Sequence, residues 1–385
     1  MLTEKRNTLS SLIESTGGVH LSAYLVYRGD TEDLRAQLAE TLKIATENIT
    51  PVMTRIDRSQ FLKPLRALLE DTRVLETLRG NVGIFRTAQS FRVLHVPVPV
   101  EQACMVATTF HVKPLLRWIQ SDRDFFLVGL DQETVHLYQG SQHTLKLIDT
   151  LSLSREIAYD TSLSSKLNFW NSVSVKSQEI EEIVLWLEDK LALYSKKSKP
   201  KLFFAGKKKS IDILGFELSY GNIAKYPLTY TFSAKNLSKI TAEIRTVLTK
   251  DAESYLERSF LEFKYANNLD LTETNIFEIA KAAIQGRVKK LMIAGEVNVF
   301  GKLNPTNGDL VLHEGDRDHE DDCLLDDLAQ TVLAKGGNVI VASKEELPGG
   351  HSILAITEAV DPERSVWRAR PSVSQQNSNT KRGLL

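Results

Sequence analysis

Short runs of consecutive apolar residues recur along the chain and alternate with segments of helical periodicity. Phe125–Leu130 contains six residues without a charge, and further strands are predicted at 290–294, 338–342 and 353–356. Runs of this length are typical of strands that are buried on both faces, and helices are the elements that cover such strands. The alternation therefore predicts an α/β fold in which helices cover β-sheets.

The length of the chain predicts more than one domain. Its 385 residues exceed a single ordinary core, since domains average roughly 150 residues. We predict an N-terminal α/β domain at 1–101, a middle domain at 102–268 and a C-terminal α/β/α domain at 269–360. Residues 361–385 are rich in Ser, Gln, Asn, Lys and Arg, so we predict a disordered tail.

Several local elements can be placed from periodicity and capping signals. His20–Tyr27 has strand composition, and Asp30 is a suitable N-cap for the helix that follows. A second helix is predicted from Ser59 to Leu78. In the last unit we predict a helix at Ile276–Ile284 and a short strand at Asn298–Phe300.

Charge and cysteine usage restrict the class of protein. Lys and Arg number 48 against 49 Asp and Glu, and this balance excludes a uniformly basic nucleic-acid coat while permitting a local basic patch. Cys104 and Cys323 lie far apart, without disulfide-framework or zinc-ligand spacing. The chain has neither a secretory signal pattern nor an apolar stretch long enough to span a bilayer. We therefore expect a cytoplasmic protein without membrane association.

The familiar sequence motifs of enzymes are absent. The chain has no Walker phosphate loop, no Gly-x-Gly-x-x-Gly, no Gly-x-Ser-x-Gly, no His-Glu-x-x-His and no Cys-x-x-Cys. Catalytic sites can also assemble from distant residues, so the question of catalysis stays open. The absence of these motifs nevertheless disfavours an enzyme. We predict no catalytic residues, no cofactor and no resident metal.

A lysine run is the first local anomaly of composition. Seven lysines and no acidic residue lie between 196 and 209. They are Lys196, Lys197, Lys199, Lys201, Lys207, Lys208 and Lys209. They could neutralise the phosphates of RNA of any sequence. They could instead protect the edge of the apolar strand at 202–204 from pairing with other chains, an interpretation that the sequence favours by a small margin.

An acidic segment at 313–322 is the second anomaly. It combines carboxylates with His313 and His319, and such donors could hold a divalent cation. The simpler interpretation is an exposed, metal-free loop whose last acids stabilise the start of a helix near Asp321. His111 is likewise interpreted as a packed or surface histidine and not as a catalytic base.

Seven segments, taken in order over about 340 residues, resemble a known family. They are 20–25, 110–116, 126–130, 135–138, 282–288, 324–329 and 347–350. Together they resemble the bacterial members of the archaeo-eukaryotic class-one peptide chain release factor superfamily, which includes Pelota. The resemblance implies an N-terminal α/β domain, a ribonuclease-H-like middle domain and a C-terminal domain of the kink-turn-binding ribosomal-protein type. It also implies action at the ribosome on stalled peptidyl-tRNA.

The sequence departs from this family at its catalytic device, a Gly-Gly-Gln loop in the middle domain. Glycines admit that loop to a crowded centre, and the glutamine helps to place the attacking water. The three Gly-Gly pairs of this chain are followed by Val19, Asn338 and His351, and the segment 163–172 has no glycine. The Asn-Ile-Lys-Ser motif of the eukaryotic factors is absent as well.

We therefore predict a release-factor-like adaptor that binds ribosomes or tRNA-like RNA without catalysing peptide release, as Pelota does. Two alternatives stay open: a divergent hydrolase or nuclease that uses the middle domain, and an interaction module that binds another protein. Convergent carboxylates in the middle domain would favour the first, and a large apolar surface would favour the second. The sequence does not indicate an oligomeric state.

Overall fold

A computed structural model of the chain describes residues 2–15, 17–131, 134–153, 177–195, 199–225, 228–313 and 322–358. The segment 163–172, most of the acidic segment and the predicted tail at 361–385 lie outside these ranges. No helix within them combines the length and the apolar character that a bilayer span requires.

The first part of the chain forms an antiparallel sheet with helices on both faces. Its elements are α1 (Leu2–Ile13), β1 (His20–Leu25), α2 (Thr31–Ile49), α3 (Arg55–Glu70), α4 (Thr72–Thr77), β2 (Val82–Arg86), β3 (Phe91–His95) and β4 (Ala103–Ala107). The strand order is β3-β2-β1-β4. Because β4 pairs with β1, this N-terminal sheet extends past residue 101, where the sequence places the end of the first domain.

Two predictions for the helices of this part have different outcomes. Asp30 caps α2 as predicted, because its side chain accepts a hydrogen bond from the Glu32 amide. The single helix predicted from Ser59 to Leu78 is wrong, since two helices meet at Asp71. The backbone of Asp71 leaves the helical region, and its carboxylate accepts a hydrogen bond from the Val74 amide at the start of α4.

The middle part carries a second sheet with helices on both faces. Its elements are α5 (Lys113–Ser121), β5 (Phe125–Leu130), β6 (Thr134–Gly140), β7 (Leu145–Ser152), α6 (Ser177–Tyr194), β8 (Lys201–Ala205), α7 (Lys208–Glu217) and α8 (Leu237–Asn267). The strand order is β7-β6-β5-β8. β6 is antiparallel to both β5 and β7, whereas β8 is parallel to β5.

The alternation of side chains along β5 divides the core of this middle sheet. Phe126 and Val128 pack with apolar residues of α6 and α7. Phe125 and Leu127 point to the opposite face and pack with residues of α8 such as Ile240. A strand that is apolar at every position is therefore buried on both faces, as its composition predicts.

The last part forms a third sheet and a small additional one. Its elements are β9 (Thr272–Glu273), α9 (Ile276–Ile284), β10 (Val288–Ala294), β11 (Phe300–Leu303), β12 (Leu310–Leu312), β13 (Asp322–Cys323), α10 (Leu324–Ala334), β14 (Asn338–Ala342), a 3₁₀ turn (Pro348–Gly350) and β15 (Ile353–Thr357). The C-terminal sheet has the order β14-β10-β15-β9. The predicted helix at Ile276–Ile284 is confirmed, whereas the strand predicted at Asn298–Phe300 begins only at Phe300.

One hydrophobic core joins the N-terminal and C-terminal sheets. Tyr24 and Phe85 of the first sheet, Leu115 of α5, and Leu291 and Leu325 of the last unit belong to the same buried cluster. The 31-residue α8, about 46 Å long, packs its first half against the middle sheet and its second half against the C-terminal sheet. Thus α8 connects the middle sheet to the N-terminal and C-terminal sheets, which we call the joined pair.

A substitution at Gly129 in β5 would test how tightly the middle sheet is packed. A Cβ atom at this position would lie 2.2 Å from the Phe232 ring. We expect Gly129→Ala to destabilise the protein by about 1–3 kcal/mol, measured as a lower urea midpoint. The cost should be smaller in a Phe232→Leu background, since the clash is then relieved. Gly215→Ala is the matched control, because no atom lies within 4 Å of its added Cβ.

Candidate functional site

The structure divides the lysine run into two groups. Lys196 and Lys197 lie outside the described residues. Lys199 and Lys201 precede or begin β8, whereas Lys207–Lys209 follow it. The five residues of β8 separate the two groups by roughly 17 Å. The described lysines therefore form two separate basic positions and not one continuous patch.

In the group before β8, Lys201 is engaged within the protein and Lys199 is exposed. The Lys201 ammonium pairs with Asp251 of α8 and is partly buried. The edge of β8 is covered near Leu202, whose amide donates to the Asn222 carbonyl at 2.9 Å and whose carbonyl accepts from the Ala224 amide at 2.8 Å. Main-chain hydrogen bonds thus protect this part of the strand edge from pairing with other chains. One interpretation of the sequence gave this protective role to the lysines.

The group after β8 lies at the start of a helix. Lys207 is the N-cap of α7, and Lys207, Lys208 and Lys209 are exposed. The first turn of α7 contains no acidic residue, and the N-cap makes no side-chain capping hydrogen bond. Because the N-terminus of a helix is already its positive end, three lysines there add to one positive potential. This arrangement can attract phosphate groups.

A cleft of about 1280 Å³ lies between the middle sheet and the joined pair. It is lined by parts of α1, α5, α8 and the region of β14, together with residues 199–201. Arg123, Lys199, Lys201 and Arg258 contribute positive charge. The Arg123 guanidinium lies 5.3 Å from the centre of the Tyr255 ring, a cation–π distance. The acids Glu14, Asp124 and Asp251 balance these charges, so the cleft has a mixed potential.

The acidic segment is described only at its two ends. His313 is exposed, but Asp322 is buried, so the predicted exposure of the whole segment is wrong at Asp322. The reason is that the Asp322 carboxylate accepts hydrogen bonds from the amide of Thr108, at 2.7 Å, and from its hydroxyl. Within the described ranges, no three His, Cys, Asp or Glu side chains converge as metal ligands.

The start of α10 contacts residues 108–113 through a buried group of polar side chains, here called the Asp326 seam. The Asp326 carboxylate accepts from the amides of Val112 and Lys113, each at 2.9 Å, and contacts the His111 imidazole. It thereby supplies the side-chain cap that α5 lacks within its own segment. Thr109 donates to the Asp327 carboxylate at 2.7 Å.

Further hydrogen bonds surround the seam. His111 donates its amide to the Ser22 hydroxyl at 2.9 Å, and its carbonyl accepts from the Tyr24 hydroxyl at 2.7 Å. The Gln330 amide donates to the Phe110 carbonyl at 2.8 Å. The Lys113 ammonium, almost fully buried, donates to the Val297 carbonyl at 2.6 Å. His111 is therefore a packed histidine, one of the two environments that the sequence predicts for it.

Burial and neighbouring charges shift the pKa values of the seam in opposite directions. Burial acts to raise the pKa of Asp326, but the charge and hydrogen bond of His111, the Lys113 charge and the Val112 amide together outweigh it and lower that pKa. Burial, together with the nearby Asp322 charge, raises the pKa of Asp327 to about 8. Burial also raises the pKa of the Cys323 thiol. Asp326 is thus an ionised cap, and Asp327 is protonated at neutral pH.

The seam contains a histidine–carboxylate pair but lacks access for a substrate. The side chains of His111 and Asp326 are 9% and 2% exposed. The nearby Cys323 is a poor nucleophile, because its raised pKa keeps the thiol protonated. The seam therefore joins two parts of the protein, and the start of α7 and the cleft are the positions open to a ligand. Sequence reasoning missed the seam, since its two halves lie more than 200 residues apart.

The comparisons with known proteins identify structural neighbours. No protein-family model and no curated protein matches the chain. An archaeal translation termination factor, aRF1, matches at 14% identity over 93% of this chain and 98% of its own, with a TM-score of 0.24. Archaeal Pelota, in a structure of ribosome-bound Pelota and ABCE1, matches at 12% identity over 93% and 94%, with a TM-score of 0.41.

A third neighbour is Dom34 of S. cerevisiae, a translation termination-like factor in RNA quality control that interacts with Hbs1. It matches at 14% identity over 74% of this chain and 87% of its own, with a TM-score of 0.38. The structural neighbours are thus archaeal and eukaryotic proteins of the release factor, Pelota and Dom34 kind, at low sequence identity.

Asp327 should make the stability of the seam depend on pH. The pKa of about 8 lies above the unfolded value near 3.9, so the native state holds a proton that the unfolded state releases. Stability should therefore fall as pH rises from about 4 through about 8. Asp327→Asn removes this titration, and we expect its Tm to exceed that of the wild type by several degrees at pH 8.5, given about 2–4 °C per kcal/mol.

Asp326→Asn is the matched control for this measurement. The lowered pKa of Asp326 means that its ionised form stabilises the protein above about pH 4. This variant should melt below the wild type at pH 7, the opposite direction to Asp327→Asn. Parallel pH profiles of wild type and Asp327→Asn between pH 5 and 9 would contradict the assigned protonation of Asp327.

The start of α7 can be tested with a triple variant, Lys207→Gln/Lys208→Gln/Lys209→Gln. If these lysines neutralise phosphates, RNA affinity should fall similarly for unrelated sequences, since phosphate contacts carry no base information. Each lost contact should reduce the log–log salt slope by roughly 0.7–0.9. The unfolding midpoint should hardly change, because all three side chains are exposed. Lys63→Gln/Lys250→Gln is the control, because both lysines are exposed and lie on other helices, α3 and α8. An unaltered salt slope in the triple variant would refute the phosphate role.

Proposed function

We propose that this protein is a release-factor-like adaptor that binds ribosomes or tRNA-like RNA in translation termination, rescue or a stress response. The proposal places it in the bacterial branch of the superfamily and in the cytoplasm. The resemblance of seven sequence segments supports the release-factor part. The observation that supports RNA binding is the cationic start of α7, where Lys207–Lys209 are exposed at the positive end of a helix.

The sheet topologies support the domain types that the resemblance implies. The middle sheet is an antiparallel meander of three strands, with a fourth strand added parallel to the first, and this order supports a ribonuclease-H-like domain. The C-terminal sheet lies between α9 and α10 on one face and the end of α8 on the other, which supports an α/β/α domain of the kink-turn-binding type. The domains at 1–101, 102–268 and 269–360 belong to this proposal. β4 lies in the second of these ranges but pairs with β1 in the sheet of the first.

The absence of catalysis is also part of the proposal, and the environment of the Gly-Gly pairs supports it. Gly336 and Gly337 end α10, where the Gly337 amide donates to the Val332 carbonyl at 2.9 Å. Gly349 and Gly350 form a turn and both have positive φ. These two pairs have structural roles in the C-terminal part of the chain, and none of the three pairs precedes a glutamine.

The composition of the adjacent strands β5 and β8 disfavours the alternative of a nuclease. β5 reads Phe-Phe-Leu-Val-Gly-Leu and its neighbour β8 reads Lys-Leu-Phe-Phe-Ala, so neither strand carries a carboxylate. Metal-dependent hydrolysis needs convergent carboxylates or equivalent ligands. The inner strand β5 and the edge strand β8 beside it cannot supply them, and binding without hydrolysis is the better-supported function.

Co-sedimentation with ribosomes tests the proposed binding. The wild-type protein should pellet with ribosomes at low salt and be released as salt rises, because phosphate contacts are screened. Sequencing of crosslinked RNA would identify the RNA contacted. A wild-type protein that stays in the supernatant at low salt would contradict the proposal.

Peptidyl-tRNA hydrolysis on programmed ribosomes tests the absence of catalysis. The purified protein should not raise the rate of release above the control without factor, since the chain lacks the Gly-Gly-Gln loop. Release well above that control, lost when residues 163–172 are replaced, would show that the chain is a catalytic release factor.

A further inference from the structure

Helix α7 contains three features that weaken a helix and that its own packing does not explain. Lys208 and Lys209 lie in its first turn, where a positive charge is unfavourable. Gly215 lies inside the helix although no atom is within 4 Å of an added Cβ, so alanine would fit. Phe216 is 86% exposed. Such conflicts between local rules and local sequence are expected at functional sites.

These residues share one side of the helix. Ser210 and Leu214 form the buried side. Lys208, Lys209, Asp212, Ile213, Phe216 and Glu217 are exposed and form what we call the α7 face. Phe216 lies seven residues after Lys209, which is about 10 Å along the axis and nearly two turns. Since the acids Asp212 and Glu217 lie farther along the helix, the positive charge of the face is concentrated at its start.

The chemistry of the α7 face matches a nucleic-acid strand with unpaired bases. Lysine ammonium groups neutralise phosphates, and an exposed phenylalanine ring offers a surface on which a base can stack. In a paired duplex the base faces are covered by their neighbours, so the ring would find no partner. The missing side chain at Gly215, adjacent to Phe216, leaves room for a ligand to approach the helix backbone.

We infer that the α7 face binds unpaired RNA, with Lys208 and Lys209 at the phosphates and the Phe216 ring stacked on a base. This inference rests on the proposed RNA-associated function and specifies the contact surface and the kind of RNA. Ile213, 39% exposed, extends the apolar part of the face beside the ring.

Fluorescence anisotropy with a labelled oligouridine of roughly 12 nucleotides tests the inference, with a blunt RNA duplex as the comparison ligand. The wild type should bind the oligouridine more tightly than the duplex. Phe216→Ala should lower the affinity for oligouridine roughly 5- to 100-fold and leave the salt slope unchanged, because no phosphate contact is lost. Phe216→Trp should retain binding, since it keeps the stacking surface.

The lysines should give a different signature in the same assay. Lys208→Gln/Lys209→Gln should reduce the log–log salt slope by about 0.7 for each contact to single-stranded RNA. Tyr265→Ala is the matched aromatic control, because Tyr265 is 68% exposed on α8, away from the face. It should bind oligouridine like the wild type.

Two results would overturn the inference: equal oligouridine affinity of Phe216→Ala and the wild type, or a wild-type preference for the duplex. Either result would show that the exposed apolar residues of α7 do not stack on unpaired bases. Ribosome co-sedimentation separates this failure from that of the proposed function. If Phe216→Ala and wild type bind oligouridine equally but the wild type pellets with ribosomes, only the inference fails. If the wild type does not pellet, the proposed function fails, and the oligouridine measurements still decide the inference.

Discussion

The Asp326 carboxylate is the interaction on which the arrangement of the N-terminal and C-terminal sheets depends. It lies in the first turn of α10 and accepts the two amides at the start of α5, so a single negative charge serves two helix N-termini. The His111 imidazole is its third partner. Removing the carboxylate would leave buried amides without acceptors, a larger cost than the loss of a surface ion pair. The shared hydrophobic core can close because these polar groups are satisfied.

The middle sheet is stabilised separately from the seam. It has a core on each face, and the first half of α8 covers one of them. The lysines at the start of α7 belong to this middle part, whereas the seam lies where the other two sheets meet. A ligand at α7 would therefore contact residues that the seam does not use. This separation explains how α7 can carry unfavourable charges and an exposed aromatic ring while the seam stays fully packed.

The candidate site also shows how structure changes the meaning of a sequence pattern. Seven lysines within fourteen residues suggest one basic patch, but β8 places the described ones at its two ends. One of them, Lys201, is paired with Asp251. The acidic segment changes in the same way at Asp322, which is buried because Thr108 supplies two donors. A run of charged residues describes only the composition of a segment. The exposure of each charged side chain depends on which residues the fold places against it.

Helices and strands that depend on neighbouring residues could be predicted from the sequence. Periodicity placed β5, α9 and β14, and Asp30 marked the start of α2, because strand burial and helix capping depend on residues within a few positions. The break at Asp71 is also local although periodicity missed it, whereas the transfer of β4 to the first sheet and the Asp326 seam depend on tertiary contacts. The seam and the β4 pairing join residues far apart in sequence, and the break needs a side-chain cap that periodicity does not report. The conformation of the chain, and not its local pattern, brings the donors and acceptors of the seam together.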